Sequence, residues 1–209
     1  MPKVSQEYLD ARRTEILAAA RRCFVRDGFH ETSMQDLLAE AGMSSGSVYR
    51  YFSSKQDMIV AIAEENLAEV VREARRQAER RPPVGLGEAV ADLFEVIRAK
   101  HAENGFAAIA LLTWSESLRN PRLAERLTTA LTEATADLAT LVREHQDVSQ
   151  LPPDVAADSL AQLITSTVPG YILQLATLGP DAVDGLPAAA RALWPTPGTP
   201  AAAKGSPRS

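Results

Sequence analysis

TSMQDLLAEAGMSSGSVYRYFSSKQ, residues 32–56, reads as two short helices joined by a tight turn. Ser33 offers its hydroxyl to an exposed backbone N–H at the start of a helix over 34–41, and Asp36 makes an imperfect capping box with it. Gly42 stops that helix. A second one starts at Ser44 or Ser45 and carries Val48 and Tyr49 before Phe52. Glycine in the turn Ala41-Gly42-Met43-Ser44 permits a helix-turn-helix, in which the second helix enters the DNA major groove. Helical hairpins with a glycine turn are common, so spacing alone does not decide the function. Side-chain chemistry adds to it. Residues 41–56 contain Ser44, Ser45, Ser47, Tyr49, Arg50, Tyr51 and Lys55 but no Asp or Glu. An acid-free helix start dressed with small hydroxyls suits the approach of phosphates, because its N–H groups and positive dipole end favour anions.

The periodicity on both sides is helical, and no alternating apolar and polar run is long enough for a sheet, so the sequence predicts an all-α protein. Upstream, Ile16, Ala20, Cys23 and Phe24 form a stripe on a helix that ends at Asp27-Gly28. Downstream, Ser53-Ser54 caps a long helix over 54–80, with Met58, Ile59, Ile62, Leu67, Val70 and Val71 on its buried side. The Pro-Pro-Val-Gly-Leu-Gly stretch at 82–87 is the clearest break in composition. An N-terminal three-helix unit, 1–60, therefore precedes a larger helical domain, 61–194, and the long helix is read as the only element touching both. Further helices are expected near 86–102, 105–119, 121–147, 153–178 and 186–193, with Pro121 and Pro153 favouring helix starts. Pro169-Gly170 predicts a kink within 153–178. The tail 195–209, rich in Pro, Gly, Ala and Ser, reads as disordered.

Composition narrows the function. A chain of 209 residues, 45% hydrophobic and 23% charged, has the balance of a globular protein with a sizeable core. Its apolar segments are interrupted well short of a bilayer span and the N-terminus lacks a signal-peptide core, which predicts a cytoplasmic protein with no membrane partner. A single cysteine, Cys23, excludes an internal disulfide, and His30, His101 and His145 share no metal-ligand spacing, so no metal or other cofactor is expected. The net charge of −5 gives the whole chain no attraction to nucleic acid. Residues 1–60 set eight basic side chains (Lys3, Arg12, Arg13, Arg21, Arg22, Arg26, Arg50, Lys55) against eight acids (Glu7, Asp10, Glu15, Asp27, Glu31, Asp36, Glu40, Asp57). Any DNA contact must come from where the charges sit.

Phe24, Gly28-Phe29, Thr32-Ser33, Leu37, Ala41-Gly42-Met43-Ser44, Gly46-Ser47-Val48-Tyr49, Tyr51-Phe52 and Ser54-Lys55 together resemble the DNA-binding domain of the tetracycline-repressor (TetR) family of regulators. The resemblance covers about the first quarter of the chain, and the remainder is similar in helical layout only. Leu38, Tyr51 and Gln56-Asp57 depart from the family pattern. The resemblance implies a repressor that binds a palindromic operator as a homodimer and is released by a small, largely apolar effector. Ser33 would cap its helix, with or without a phosphate contact. Ser44, Ser45 and Ser47 would approach base edges or phosphates, and Gly46 would allow close approach. Tyr49 and Tyr51 would donate hydroxyls to phosphates. Arg50 would either read guanine with its fork or hold a phosphate, and Lys55 would pair with a phosphate.

Helix 105–119 carries no charge before Glu116 and spreads its apolar residues around its circumference, as a central buried helix does. Phe94, Phe106, Trp114, Tyr171 and Leu175 are candidates to line an effector cavity, with Thr113, Ser117, Thr167 and Gln174 as polar contacts; for each, the alternative is ordinary core packing. Ala157, Ala161 and Thr165 form a small-residue face that lets another helix approach closely, and the resemblance implies that helices 121–147 and 153–178 build a four-helix homodimer interface there. The sequence offers no catalytic constellation: no His stands in a nucleophile motif, no glycine-rich phosphate loop follows a strand, and Glu64-Glu65 lie on a solvated helix face. The rival reading is a constitutive or protein-regulated DNA-binding protein without a small-molecule ligand.

Overall fold

The computed structural model describes residues 5–79, 85–147, 151 and 153–194. These form α1 (Gln6–Asp27), α2 (Met34–Ala41), α3 (Ser45–Tyr49), α4 (Lys55–Glu79), α5 (Leu86–Asn104), α6 (Phe106–Ser117), α7 (Pro121–Asp147), α8 (Ala157–Thr165), α9 (Thr167–Leu178) and α10 (Leu186–Leu193), with a 3-10 turn at Pro180–Val183. No strand occurs among the described residues, and the fold is all-α. The tail 195–209 and residues 80–84, which include the start of the composition break, lie outside them.

Local chemistry sets the helix ends. The Ser33 hydroxyl accepts from the Asp36 N–H (3.2 Å) while the Asp36 carboxylate accepts from the Ser33 N–H (2.9 Å), so the capping box is complete. Gly42 takes the left-handed conformation (φ 61°) that lets its N–H and that of Met43 turn back to Ala39 and Leu38. Ser44 caps α3, and the Ser54 hydroxyl accepts from the Asp57 N–H (3.1 Å) at the head of α4. The expected helix over 153–178 is instead two, interrupted at Ser166. The ring of Pro169 would meet the carbonyl of the residue four positions back, which is Thr165, the last residue of α8. In the first turn of α9 the missing N–H of Pro169 costs nothing.

Two cores result. In the first, Ile16, Leu17, Phe24, Phe29, Leu37, Val48, Phe52, Met58, Ile59 and Ile62 bind α1 to α4 together, each fully buried side chain worth about 1.5–3 kcal/mol. In the second, Phe94, Ile97, Phe106, Leu141, Ile164, Tyr171 and Leu175 join α5 to α9. Helix α10 seals onto α5 at Gly87, where a Cβ would fall 2.5 Å from the Ala190 oxygen and 2.6 Å from that of Trp194. Trp194 thus packs against the second core rather than marking the start of a loose end.

Helix α4 is not the sole bridge. Ile109 of α6 is buried in the first core with Leu112 packed beside it. The start of α6 rests on α1 so closely that a Cβ on Gly105 would lie 2.6 Å from Val25. At its other end Glu116 meets the His30 ring 3.2 Å away in the turn between α1 and α2.

Candidate DNA interface and effector cavity

Helix α3 presents Ser45, Gly46, Ser47, Tyr49 and Arg50 on the surface, while Val48 anchors it in the core and Tyr51 packs half-buried beneath. Ser44 and Ser47 hydroxyls hydrogen-bond each other at 2.9 Å. A Cβ on Gly46 would meet no atom of the chain, so nothing intramolecular requires glycine there. Ser33 is committed locally: its hydroxyl proton goes to the Asp36 carboxylate at 2.6 Å, which holds that carboxyl below its usual range.

The five arginines of α1 are all ion-paired, sharing four carboxylates. Arg12 pairs with Glu15 (2.6 Å), Arg13 and Arg21 with Glu65 (3.0 and 3.2 Å), Arg22 with Glu40 (2.6 Å), and Arg26 with Asp27 (2.8 Å) and Glu40 (3.2 Å). Hydrogen bonds from Arg22 and Arg26 hold the Glu40 carboxyl below its usual range. Arg50 makes no ion pair or side-chain hydrogen bond among the described residues. A unit of zero net formal charge over residues 1–60 thus displays, unpaired among the described residues, the guanidinium of Arg50 on its acid-free face.

Lys55 departs from the phosphate role expected of it. Its Nζ donates to the carbonyl oxygens of Phe29 (2.8 Å), His30 (3.0 Å) and Thr32 (2.8 Å), and lies 4.8 Å from the centre of the Phe29 ring. An ammonium has three protons, and all three are engaged. Lys55 fastens the α1–α2 turn to the head of α4, a role visible only when residues 26 positions apart meet.

A cavity of about 120 Å³ opens between α4, α5, α6, α7, α8 and α9. Its wall is formed by Asn66, Leu67 and Val70, by Val90 and Leu93, by Phe106, Thr113 and Trp114, by Leu127, Leu131 and Leu138, and by Ile164, Thr165, Val168 and Ile172, among others. Phe106, Thr113 and Trp114 are the expected ligand contacts found on it. The other six are elsewhere. Phe94 stacks on Tyr171 within the core, centroids 4.2 Å apart, and Leu175 is buried beside them. Ser117 donates to the Trp114 carbonyl (2.8 Å) and Gln174 to that of Gly170 (3.3 Å), each within its own helix, and Thr167 donates across the α8–α9 break to the Ile164 carbonyl (2.7 Å). Asn66 was missed, although an amide in the apolar stripe between Ile62 and Val70 is a signal readable from the sequence.

The side of α6 bearing Phe106, Thr113 and Trp114 faces this cavity, and its Ile109 and Leu112 enter the first core. The helix has no side-chain cap at Gly105; the Ala107 N–H donates instead to Nδ1 of His101 (3.3 Å). Burial lowers the pKa of that imidazole, keeping it neutral and able to accept.

A helix-turn-helix unit joined through two shared helices to a domain with an internal apolar cavity is the build of a DNA-binding regulator. The family of "Bacterial regulatory proteins, tetR family" matches residues 16–62, and "BetI-type transcriptional repressor, C-terminal" matches residues 86–194. The uncharacterized HTH-type transcriptional regulator YfiR of Bacillus subtilis is 46% identical over 78 residues, a match spanning 37% of this chain and 38% of that protein. The HTH-type transcriptional repressor AcnR of Corynebacterium diphtheriae is 30% identical over 182 residues, 86% of this chain and 88% of that one. The solved structure of Salmonella enterica GusR superposes with a TM-score of 0.70 at 26% identity, covering 92% of this chain and 98% of that one. The chain belongs to the TetR family of transcriptional regulators. These relatives are transcriptional regulators, and no helix among the described residues is long and apolar enough to cross a membrane.

Proposed function

We propose that the chain is a ligand-responsive repressor, binding a palindromic operator as a homodimer and released by a small, largely apolar effector held in the α4–α9 cavity. The observation that carries this reading is the double duty of α6, whose apolar residues divide between the cavity wall and the core that supports α3. A ligand pressing on Trp114 and Thr113 has a packed route to Ile109 and Leu112. Operator reading falls to Ser44, Ser45, Ser47, Tyr49, Tyr51 and Arg50, with Gly46 admitting the DNA backbone. Lys55 and Ser33 support this face from behind.

The homodimer follows from a two-fold operator, which needs a two-fold protein with half-sites about one helical turn or a multiple apart. Its surface moves from the earlier assignment, because Ala161 is fully buried in the monomer core and Thr165 lies on the cavity wall. Leu163, Leu173 and Leu178 of α8 and α9, 65%, 50% and 68% exposed, are better suited to cover a second copy.

Fluorescence anisotropy with DNA from the promoter beside the chain's own gene tests the proposal. Tight, saturable binding that a scrambled duplex lacks, and that a small neutral compound reverses, is expected. Equal affinity for both duplexes would overturn the specific-reader reading. Specific binding that no compound or only a protein reverses would favour the rival reading.

A further inference from the structure

Asn66 is 5% exposed and forms part of the cavity wall. Its Oδ1 accepts a 2.7 Å hydrogen bond from Nη1 of Arg21 on α1. A guanidinium carries only donors, so turning the amide round would set donor against donor, and Nδ2 is held on the edge away from Arg21. That nitrogen is shielded from solvent and has no hydrogen-bond partner among the described residues. Leaving a buried donor unpaired is costly, so its pairing is a free-energy gain open to a ligand.

The rest of the wall narrows the ligand. No charged side chain among the described residues contributes to it, and Thr113 directs its hydroxyl proton to the Ile109 carbonyl at 2.8 Å. A charged molecule would lose its water with no counter-charge on the wall itself. The volume of about 120 Å³ is a little below the roughly 150 Å³ of an apolar cavity that holds benzene. From the unpaired amide in an uncharged, ring-sized cavity, we infer that Asn66 is the polar anchor of the effector site, donating from Nδ2 to one acceptor oxygen of a small neutral ligand such as a cyclic ketone or ether. The inference rests on the effector reading of the cavity proposed above. It also ties the ligand to the DNA-binding unit: Arg21, which donates to Glu65 as well (3.2 Å), carries the same amide's other hydrogen bond.

Cyclopentanone and methylenecyclopentane have the same shape and differ in a carbonyl oxygen against a methylene, and calorimetry of the full chain with each is the test. Asn66→Asp keeps an oxygen for Arg21 and replaces the donor with an acceptor. It should lower the ratio of ketone to hydrocarbon affinity at least tenfold, whereas Thr113→Val should change it less than twofold. An unchanged ratio in Asn66→Asp, with the hydrocarbon still bound, would overturn the anchor and leave the cavity reading standing. Failure of the wild-type chain to bind either compound would overturn both. If Asn66→Asp does not fold, the infrared carbonyl band of ketone bound to the wild type decides: a shift to lower wavenumber than in hexane supports the hydrogen bond, and a band at the hexane position refutes it.

Discussion

Lys55 carries three hydrogen bonds to main-chain carbonyls where a surface lysine would carry none. Lys55→Met keeps the aliphatic stem but removes the ammonium, and should cost about 1.5–3 kcal/mol in chemical denaturation. The salt dependence of operator binding by the folded variant should stay as in wild type; a shallower slope at unchanged stability would restore the phosphate role. Arg50 predicts the reverse. Arg50→Ala should leave stability untouched and weaken operator binding by about 1–3 kcal/mol, at one base position if it reads guanine and uniformly across sequences if it holds a phosphate. Gly46→Ala separates folding from binding by sign. With a compatible helical backbone and open space for the methyl, it should stabilise the free chain by roughly 0.5–1 kcal/mol and weaken operator binding, measured by thermal melts and anisotropy. An alanine variant that binds as tightly as wild type would mean that nothing approaches position 46 closely.

At the scale of elements, α6 links cavity and DNA-binding unit, and its start depends on a neutral His101. The folded-state pKa of His101 is depressed below its ordinary 6.5 by burial, so the unfolded chain binds more protons just below that pH. Stability from this group is present above about pH 6.5 and is lost as pH falls through that value towards the lower folded pKa. Between pH 7 and 5.5 the denaturation midpoint should fall more steeply in wild type than in His101→Gln; parallel profiles would remove His101 from the account. Tyr171, in the core behind the cavity, offers a complementary check. Its hydroxyl is buried without a hydrogen-bond partner among the described residues and its ring stacks on Phe94, so Tyr171→Phe should be neutral or stabilising and leave effector release unchanged.

What the sequence disclosed at this scale was whatever neighbours in the chain decide. Ser33 with Asp36, Gly42, and Pro121 at the head of α7 act within one helical turn, and α2, α3 and α7 were legible from them. The α8–α9 break was half legible, because Pro169 is plain in the sequence while the steric effect falls on Thr165. The cavity was less so. Phe106, Thr113 and Trp114 lie on one helix, but Leu127 and Leu138 recur at helical spacing along 121–147 as ordinary core residues do, and their place on the wall emerges only when five other helices surround the space. The partners of Lys55 were hidden for the same reason.

In the whole molecule, the exposed leucines of α8 and α9 and the two bridging helices define the remaining expectations. Leu163→Glu with Leu173→Glu should convert a dimer to a folded monomer with lost operator affinity, read by light scattering; a dimer that survives would move the interface elsewhere. Allosteric release requires that the effector favour a conformation in which the two copies of α3 no longer match the half-site spacing, and coupling of this kind acts equally in both directions. Trp194→Phe would leave Trp114, on the cavity wall, as the sole tryptophan reporter. With a compound that releases the operator, its dissociation constant read from Trp114 emission should rise in saturating operator DNA by the same factor by which the compound weakens operator binding. A dissociation constant unchanged by operator would contradict communication between the cavity and α3.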